Sequence, residues 1–222
     1  MSKIYISPSQ QGDNVGYGSY GTEQKRMFEI GDNLKTTLER CGNTVYIARK
    51  GDTFQKAVTE SNRLKCDIHL AIHSNAFKGT SRGTLAMYAS SNGKRLATAI
   101  YNELSAFTPT ADRSCYENKS LYELTGTNAI CAYMELAFHD NKDDAALIIN
   151  NIEKIAELIA KGVCIYVGTK YIEKPVVVVP VVKPVADVTH RVVTGSFTNK
   201  ANADARVVEL KAAGFESFII TK

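Results

Sequence analysis

Through roughly its first 170 residues the chain alternates short apolar runs of strand length with longer segments of helical spacing, a rhythm that few folds accommodate. Lys3–Ile6, Thr44–Ala48, Asp67–His73, Thr84–Ala89 and Ala129–Phe138 have the length and composition of strands. Between them, Glu23 to Cys41 places Met27, Ile30, Leu34 and Leu38 on one helical face and ends at Gly42, a residue suited to closing a helix. Gln55–Leu64, Gly93–Phe107 and Asn141–Val167 also have helical spacing, the last as one or two helices with Asp140 as N-cap. Strands alternating with helices of this length predict an α/β layered fold around a mainly parallel, twisted sheet flanked by helices.

The rhythm breaks at Tyr171. Ile172 to Val188, IEKPVVVVPVVKPVADV, holds Pro175, Pro180 and Pro184, three of the five prolines. Proline has no amide donor and fixes φ, so this spacing defeats both a helix and a central strand and predicts a stiff linker. The expected organisation is a domain over 1–171, a linker over 172–188 and a small module over 189–222. In the last, Arg191–Phe197 and Phe215–Thr221 have strand character and flank an amphipathic helix, Asn199–Ala213, closed by Gly214, which together make one β-α-β unit.

Composition excludes several function classes. The 222 residues are 44% hydrophobic and 23% charged, enough to bury a core. A net charge of +4 with interleaved acids argues against a nucleic-acid partner. No apolar run approaches the ~20 residues of a membrane-spanning helix, so no membrane insertion is expected. The start, Met1-Ser2-Lys3 leading straight into Ile4-Tyr5-Ile6, lacks the apolar segment of a secretory signal, and synthesis in the cytoplasm is expected. Five cysteines, Cys41, Cys66, Cys115, Cys131 and Cys164, are odd in number and never form a C-x-x-C pair; they read as free thiols.

Few residues remain that can carry chemistry. His73 ends a buried-looking strand, and in parallel sheets the carboxyl ends of strands are where sites assemble. A lone histidine there is more often structural than a ligand. A second strand of the same shape strengthens it: AICAYMELAF holds a single ionisable residue, Glu135, near its carboxyl end. A carboxylate in an apolar strand costs several kcal/mol unless it is paired, metal-bound or protonated, and the run offers no cation. Glu23 opens the first long helix after the glycine-rich loop Gly12–Gly21, where ordinary dipole complementation would explain it equally well. His69 lies about 13 Å before His73 along the same strand, too far to share an ion, and is expected half-buried; His139 is expected in a loop or rim, and His190 at the linker end.

Taken together, AIHSNA around His73, YGTEQKRMFEI around Glu23 and YMELAFHDNKDDA around Glu135 resemble the zinc-dependent N-acetylmuramoyl-L-alanine amidases, the family shared by bacterial autolysins and phage endolysins. The resemblance spans about residues 2 to 170 and includes Arg113 and a Leu121–Leu124 strand. It implies one zinc ion held by a residue of the first loop, Glu23 and His73, with Glu135 as the catalytic acid. The family's first ligand is a histidine, and here the loop is Ile6-Ser7-Pro8-Ser9-Gln10-Gln11-Gly12. It is similar to an S-P-S-x-Q branch, which puts Gln11 in the ligand place; alignment with the commoner D-P-G-H-G loop puts Gln10 there. The implied activity is hydrolysis of the amide between N-acetylmuramic acid and L-alanine of peptidoglycan, with Arg113 or Lys119 orienting a stem-peptide carboxylate.

The tail RVVTGSFTNKANADARVVELKAAGFESFIIT resembles the opening half of a SPOR domain, a peptidoglycan-binding module. Two such halves from different chains are expected to pair, giving a homodimer. With no export signal, action on the wall is expected after release through a phage membrane hole or by lysis of a mother cell. The competing expectation is a non-catalytic peptidoglycan-binding protein with a degenerate metal site. No H-E-x-x-H helix, G-x-S-x-G elbow or nucleophilic cysteine context supports a peptidase.

Overall fold

A computed structural model describes residues 1–108, 114–175 and 193–220. The chain divides into two units, Met1–Pro175 and Val176–Lys222.

In the first unit the predicted alternation is realised. Strands β1 (Lys3–Pro8), β2 (Thr44–Ile47), β3 (Ile68–Asn75), β4 (Leu85–Tyr88), β5 (Cys115–Glu117) and β6 (Ile130–Phe138) form one sheet in the order β2-β1-β3-β6-β4-β5. β2, β1, β3 and β6 run parallel, whereas β4 pairs antiparallel to β6 and carries β5 parallel to itself. The carboxyl ends of β1, β3 and β6 therefore lie side by side at one edge, where a parallel sheet assembles its sites.

Because side chains alternate across a strand, the register sorts them into two faces. One carries Ile4, Ile6, Ile68, Leu70, Ile72, Ala132 and Met134 and is sealed by helices α1 (Glu23–Arg40), α3 (Ser91–Ser105), α5 (Lys142–Asn150) and α6 (Ile152–Val167). Met27, Ile30, Leu34 and Leu38 of α1 are all fully buried there, as their spacing requires. α3 and α6 cross closely at Gly162, where an added Cβ would sit 2.4 Å from the Ile100 Cα. The opposite face carries Tyr5, Ser7, His69, Ala71, His73, Tyr133 and Glu135 and is covered by α2 (Phe54–Arg63) and a short helix, α4 (Tyr122–Gly126).

Several local expectations are corrected. Leu121–Leu124 is not a strand: residues 122–126 turn helically, and the end of α4 is pinned by Asn62 of α2, whose amide donates to Gly126 O (3.0 Å) and accepts from Asn128 N (2.7 Å). The cap of α5 is Asn141, which accepts from Asp143 N and Asp144 N, not Asp140. The expected linker start is still docked on the first unit, with Arg40 Nε donating to Ile172 O (2.9 Å).

Among the described residues of the second unit only the expected helix forms, as α7 (Lys200–Ala212), with Asn199 accepting from Ala201 N at its cap and Gly214 at φ +85 beyond it. Residues 193–197 and 215–220 carry no strand. A strand must pair its backbone groups, and among the described residues neither segment has a partner strand. His190 lies outside the described residues.

Candidate metal and catalytic site

The site grows from the carboxyl edge of β1, β3 and β6. His73 and Glu135 sit opposite each other in the β3–β6 register, and a register shift follows at once between His73 and Asn75, where β6 carries an extra residue. Such bulges re-aim side chains at sheet rims. Here it marks where the strands stop being structural and begin to present functional groups.

Glu23 reaches the same point from the start of α1. Its placement depends on the loop before it, which folds back on itself through a Val15–Thr22 bridge and a bond from Glu23 N to Asn14 O (2.9 Å). Gly16 is obligatory in that loop, since a Cβ would lie 2.4 Å from the Tyr20 ring and 2.7 Å from His139 O. Thr22 caps the helix by accepting from Lys25 N, so Glu23 is free for other work. It is fully buried, which dipole complementation on a surface helix would not require. Its Oε1 lies 3.1 Å from His73 Nδ1 and accepts from Ser74 N (3.3 Å), and its Oε2 accepts from Asn14 Nδ2 (2.8 Å).

The two glutamines of the first loop part company. Gln10 is turned toward the β2–α2 connection: its amide nitrogen donates to Arg49 O (3.1 Å) and its oxygen accepts from Gly51 N (2.9 Å). Gln11 Oε1 instead accepts from Asn14 Nδ2 (2.8 Å), the same amide group that donates to Glu23 Oε2. One hydrogen-bearing nitrogen thus draws the Gln11 and Glu23 oxygens together. Gln11 Oε1 and the Glu23 carboxylate share the Asn14 amide, and the same carboxylate faces His73 Nδ1, a chain of oxygen, oxygen and nitrogen donors. Among the described residues no group of three or more His, Cys, Asp and Glu has the geometry to hold a metal; a set whose first member is an amide falls outside that pattern.

Glu135 stands beside this set without joining it. Its Oε2 is buried and finds no hydrogen-bond partner among the described residues. Burial pushes its pKa up to about 7, with the cationic form of His73 only partly opposing the rise. Burial also works against protonation of His73, but Glu123 and Glu23 outweigh it and hold the imidazolium to about 9. Burial would raise Glu23 too, yet the bonds from His73, Asn14 and Ser9 bring it below the ordinary carboxylate value.

Two residues in this neighbourhood, Ser74 and Glu123, escaped the sequence reading, and two histidines are more buried than expected. Ser74 is a hub: its hydroxyl bonds with the Tyr20 hydroxyl (2.8 Å) and His139 Nδ1 (2.9 Å) while its amide holds Glu23. His139 lies in the turn after β6, as one of the two expectations had it, but is buried and stacked on Tyr20, because it ties that turn to the loop before α1. Glu123 of α4 is buried under His69 and His73, and His69 is fully buried where half-burial was expected. Two imidazoles on one covered strand face should have signalled a hidden acid; the local sequence SLYELTGT around Glu123 carries no such signal. Lys119 is ion-paired with Glu117 (3.0 Å) beyond the end of β5, toward the sheet edge away from Glu135, which removes it from the site. Arg113 lies outside the described residues.

Comparison with known proteins follows the same lines. A family model described as N-acetylmuramoyl-L-alanine amidase matches residues 4–164, and a SPOR domain model matches residues 167–221. The chain is similar to the probable cell wall amidase LytH of Staphylococcus saprophyticus, 22% identical over 170 residues, and to that of Staphylococcus aureus, 25% identical over 171 residues. In both cases the match covers 73% of this chain and 57% of the relative, so the chain spans little more than half the length of these relatives. Among solved structures, the catalytic domain of CwlV, an N-acetylmuramoyl-L-alanine amidase from Bacillus (Paenibacillus) polymyxa var. colistinus, superposes with a TM-score of 0.69 at 19% identity, covering 77% of this chain and all of that one. An N-acetylmuramoyl-L-alanine amidase from Clostridium difficile 630 gives 0.69 at 22%, covering 75% and 97%. The catalytic domain of the CD27L endolysin gives 0.64 at 24%, covering 73% and 97%. The fold is the amidase catalytic fold, and with its model matched from Ile4 to Cys164 the chain belongs to the N-acetylmuramoyl-L-alanine amidase family.

Proposed function

We propose that the protein is a peptidoglycan hydrolase of the endolysin or autolysin kind. It cleaves the amide between the lactyl carbonyl of N-acetylmuramic acid and L-alanine, using one zinc ion and Glu135. The observation that carries this reading is Glu135 Oε2, buried with no hydrogen-bond partner among the described residues and across the β3–β6 register from His73, which faces Glu23. A carboxylate is kept in that state at a real cost, which an idle structural role would not justify.

The donor chemistry fits zinc. Gln11 Oε1, a Glu23 carboxylate oxygen and His73 Nδ1 would hold the ion, three protein ligands being the number typical of catalytic zinc. A single anionic ligand leaves the site net positive. Zinc held there supplies Lewis-acid polarisation of the scissile carbonyl and makes water a better acid. Glu135 takes a proton from the attacking water as the new carbon–oxygen bond forms. It then delivers that proton to the alanine nitrogen as the carbon–nitrogen bond breaks, so acid and base are one group and the proton count closes. Elevation toward 7 suits both halves of that cycle. Tyr133 stacks on the His73 ring at 4.4 Å and keeps its plane fixed.

The tail supports attachment to the same substrate through its SPOR match. Val193, Phe197, Phe215, Phe218 and Ile220 are exposed on its strandless segments, which favours completion by a second tail in a homodimer. The experiment for the activity is incubation of the purified chain with peptidoglycan, with and without a chelator, followed by assay of new amino-terminal alanine. Glu135→Gln should lower release by 10²- to 10⁴-fold, the usual yield of general acid–base catalysis, with zinc content unchanged. Release undiminished in that variant overturns the role of Glu135. A wild-type protein that binds peptidoglycan but neither takes up zinc nor releases alanine would instead be the non-catalytic binder.

A further inference from the structure

The face of the sheet beneath the site contains an ionisable cluster that the reading above does not use. Glu123, on the five-residue helix α4, points its carboxylate between two histidines of β3. Its Oε1 accepts from Ser7 Oγ at 2.6 Å and faces His69 Nε2 at 3.3 Å; its Oε2 faces His73 Nε2 at 3.6 Å. All four residues are buried. Around them the covering layer is apolar: Ala71, Met87, Leu124, Cys131 and Tyr133. A carboxylate inside such a layer is tolerated only when fully partnered, and here strands β1 and β3 together supply the partners.

We propose that Glu123 is a positioning residue for metal binding: held by Ser7 and His69, it takes the Nε2–H of His73 and thereby presents the Nδ1 lone pair to the site. This inference rests on the zinc reading given above. The imidazole of His73 is constrained three ways. Nδ1 lies 3.1 Å from Glu23 Oε1 on the site side, Nε2 faces Glu123 on the interior side, and the ring lies flat against Tyr133. In the metal-free chain both ring nitrogens face a carboxylate, Nδ1 at 3.1 Å from Glu23 and Nε2 at 3.6 Å from Glu123, so each can carry a hydrogen. The two acids differ in what they would do on metal binding: Glu23 is itself a ligand in that reading and would turn to the ion, leaving Nδ1 to ligate, whereas Glu123 stays behind the ring and retains the hydrogen on Nε2. A carboxylate behind a ligating histidine also raises its basicity, and loss of such partners weakens metal affinity by 10- to 100-fold. The feature is remote in sequence, 50 residues from His73, and only the packing of α4 under the sheet creates it.

The test uses the full chain and zinc alone as the probe. Zinc affinity is measured by competition with a chromophoric chelator for wild type, Glu123→Gln and Ser7→Ala, alongside the thermal midpoint of each metal-free protein. Glu123→Gln keeps the shape but can turn either an oxygen or an amide group toward Nε2. It should raise the zinc Kd about 10- to 100-fold. Ser7→Ala leaves the acid in place but loosens it, and should raise the Kd less, while remaining folded if Glu123→Gln does not. A purely structural Glu123 would lower the midpoint and leave the zinc Kd of every folded variant at the wild-type value; that result overturns the proposal. A wild-type protein without measurable zinc affinity overturns the metal reading itself, which the wild-type arm detects separately.

Discussion

The central sheet presents two faces built under opposite rules. On one, Ile4, Ile6, Leu70, Ile72, Ala132 and Met134 are locked beneath α1, α3, α5 and α6 with no polar side chain among them. On the other, offset by one residue along the same strands, lie Tyr5, Ser7, His69, His73, Tyr133 and Glu135, covered more thinly by α2 and α4. A polar row of this kind is not a way to make a protein stable. The dry face supplies the cohesion, and the strands it fixes are the rails along which the polar face is held in register. The contrast predicts that substitutions of similar size should have opposite signs on the two sides.

The dry side should be unforgiving. Gly162→Ala places a Cβ 2.4 Å from the Ile100 Cα and 2.8 Å from its nitrogen, backbone atoms that cannot swing aside. Overpacking of this sort should cost about 3 kcal/mol, the upper part of its usual range. That outweighs the roughly 1 kcal/mol that alanine gains over glycine inside a helix. For a domain of this size the midpoint of thermal unfolding should fall by several degrees. An unchanged midpoint would mean that α3 and α6 are free to separate, and that the dry face is not the rigid half.

The polar side should gain stability when its chemistry is removed. Glu135 is raised to about 7 by burial, against an ordinary value near 4.5. The folded state therefore holds a proton that the unfolded chain gives up, and stability is lost as pH climbs from about 4.5 through about 7. The gap of some 2.5 units corresponds to about 3 kcal/mol, an order-of-magnitude figure. In the metal-free protein, Glu135→Gln should match wild type near pH 4.5 and become progressively more stable by pH 8. Unfolding midpoints measured across that range check it; parallel curves would show that Glu135 is solvated, and the contrast between the faces would shrink accordingly.

Legibility in the sequence followed the same division. The dry face was readable because it is periodic: Met27, Ile30, Leu34 and Leu38 at helical spacing, and DIHLAIH and AICAYMELAF as apolar strands. Glu135 and His73 were conspicuous as ionisable residues in apolar runs. Glu123 was invisible because its meaning comes from α4 tucking under β3, a contact between segments 54 residues from His69. The full burial of His69, expected to be half-buried, and of His139, expected in a loop or rim, is hidden for a related reason: a polar side chain is buried when a distant partner satisfies it, and period-two patterning says nothing about partners. The tail failed differently. RVVTGSF and FESFIIT have strand composition, but composition cannot provide the neighbouring strand that makes a ladder.

The first loop repeats the contrast at its smallest scale, in two adjacent glutamines. Gln10 uses both ends of its amide on backbone, donating to Arg49 O and accepting from Gly51 N, and so ties β1's loop to the segment before α2. Gln11 is exposed and directs its oxygen toward the Asn14 amide it shares with Glu23. Gln10→Ala should therefore lower the thermal midpoint, through loss of about 1 kcal/mol per hydrogen bond, and leave zinc affinity within error of wild type. Gln11→Ala should leave the midpoint of the metal-free protein unchanged and weaken zinc binding about tenfold or more. An amide oxygen is a weaker donor than imidazole, so replacing Gln11 by histidine should tighten zinc, whereas the same change at Gln10 should break the loop without that gain. If zinc binding fails in the Gln10 variant and survives in the Gln11 variant, the loop's two members exchange roles, and the ion would be held from the side of the loop that here looks purely structural.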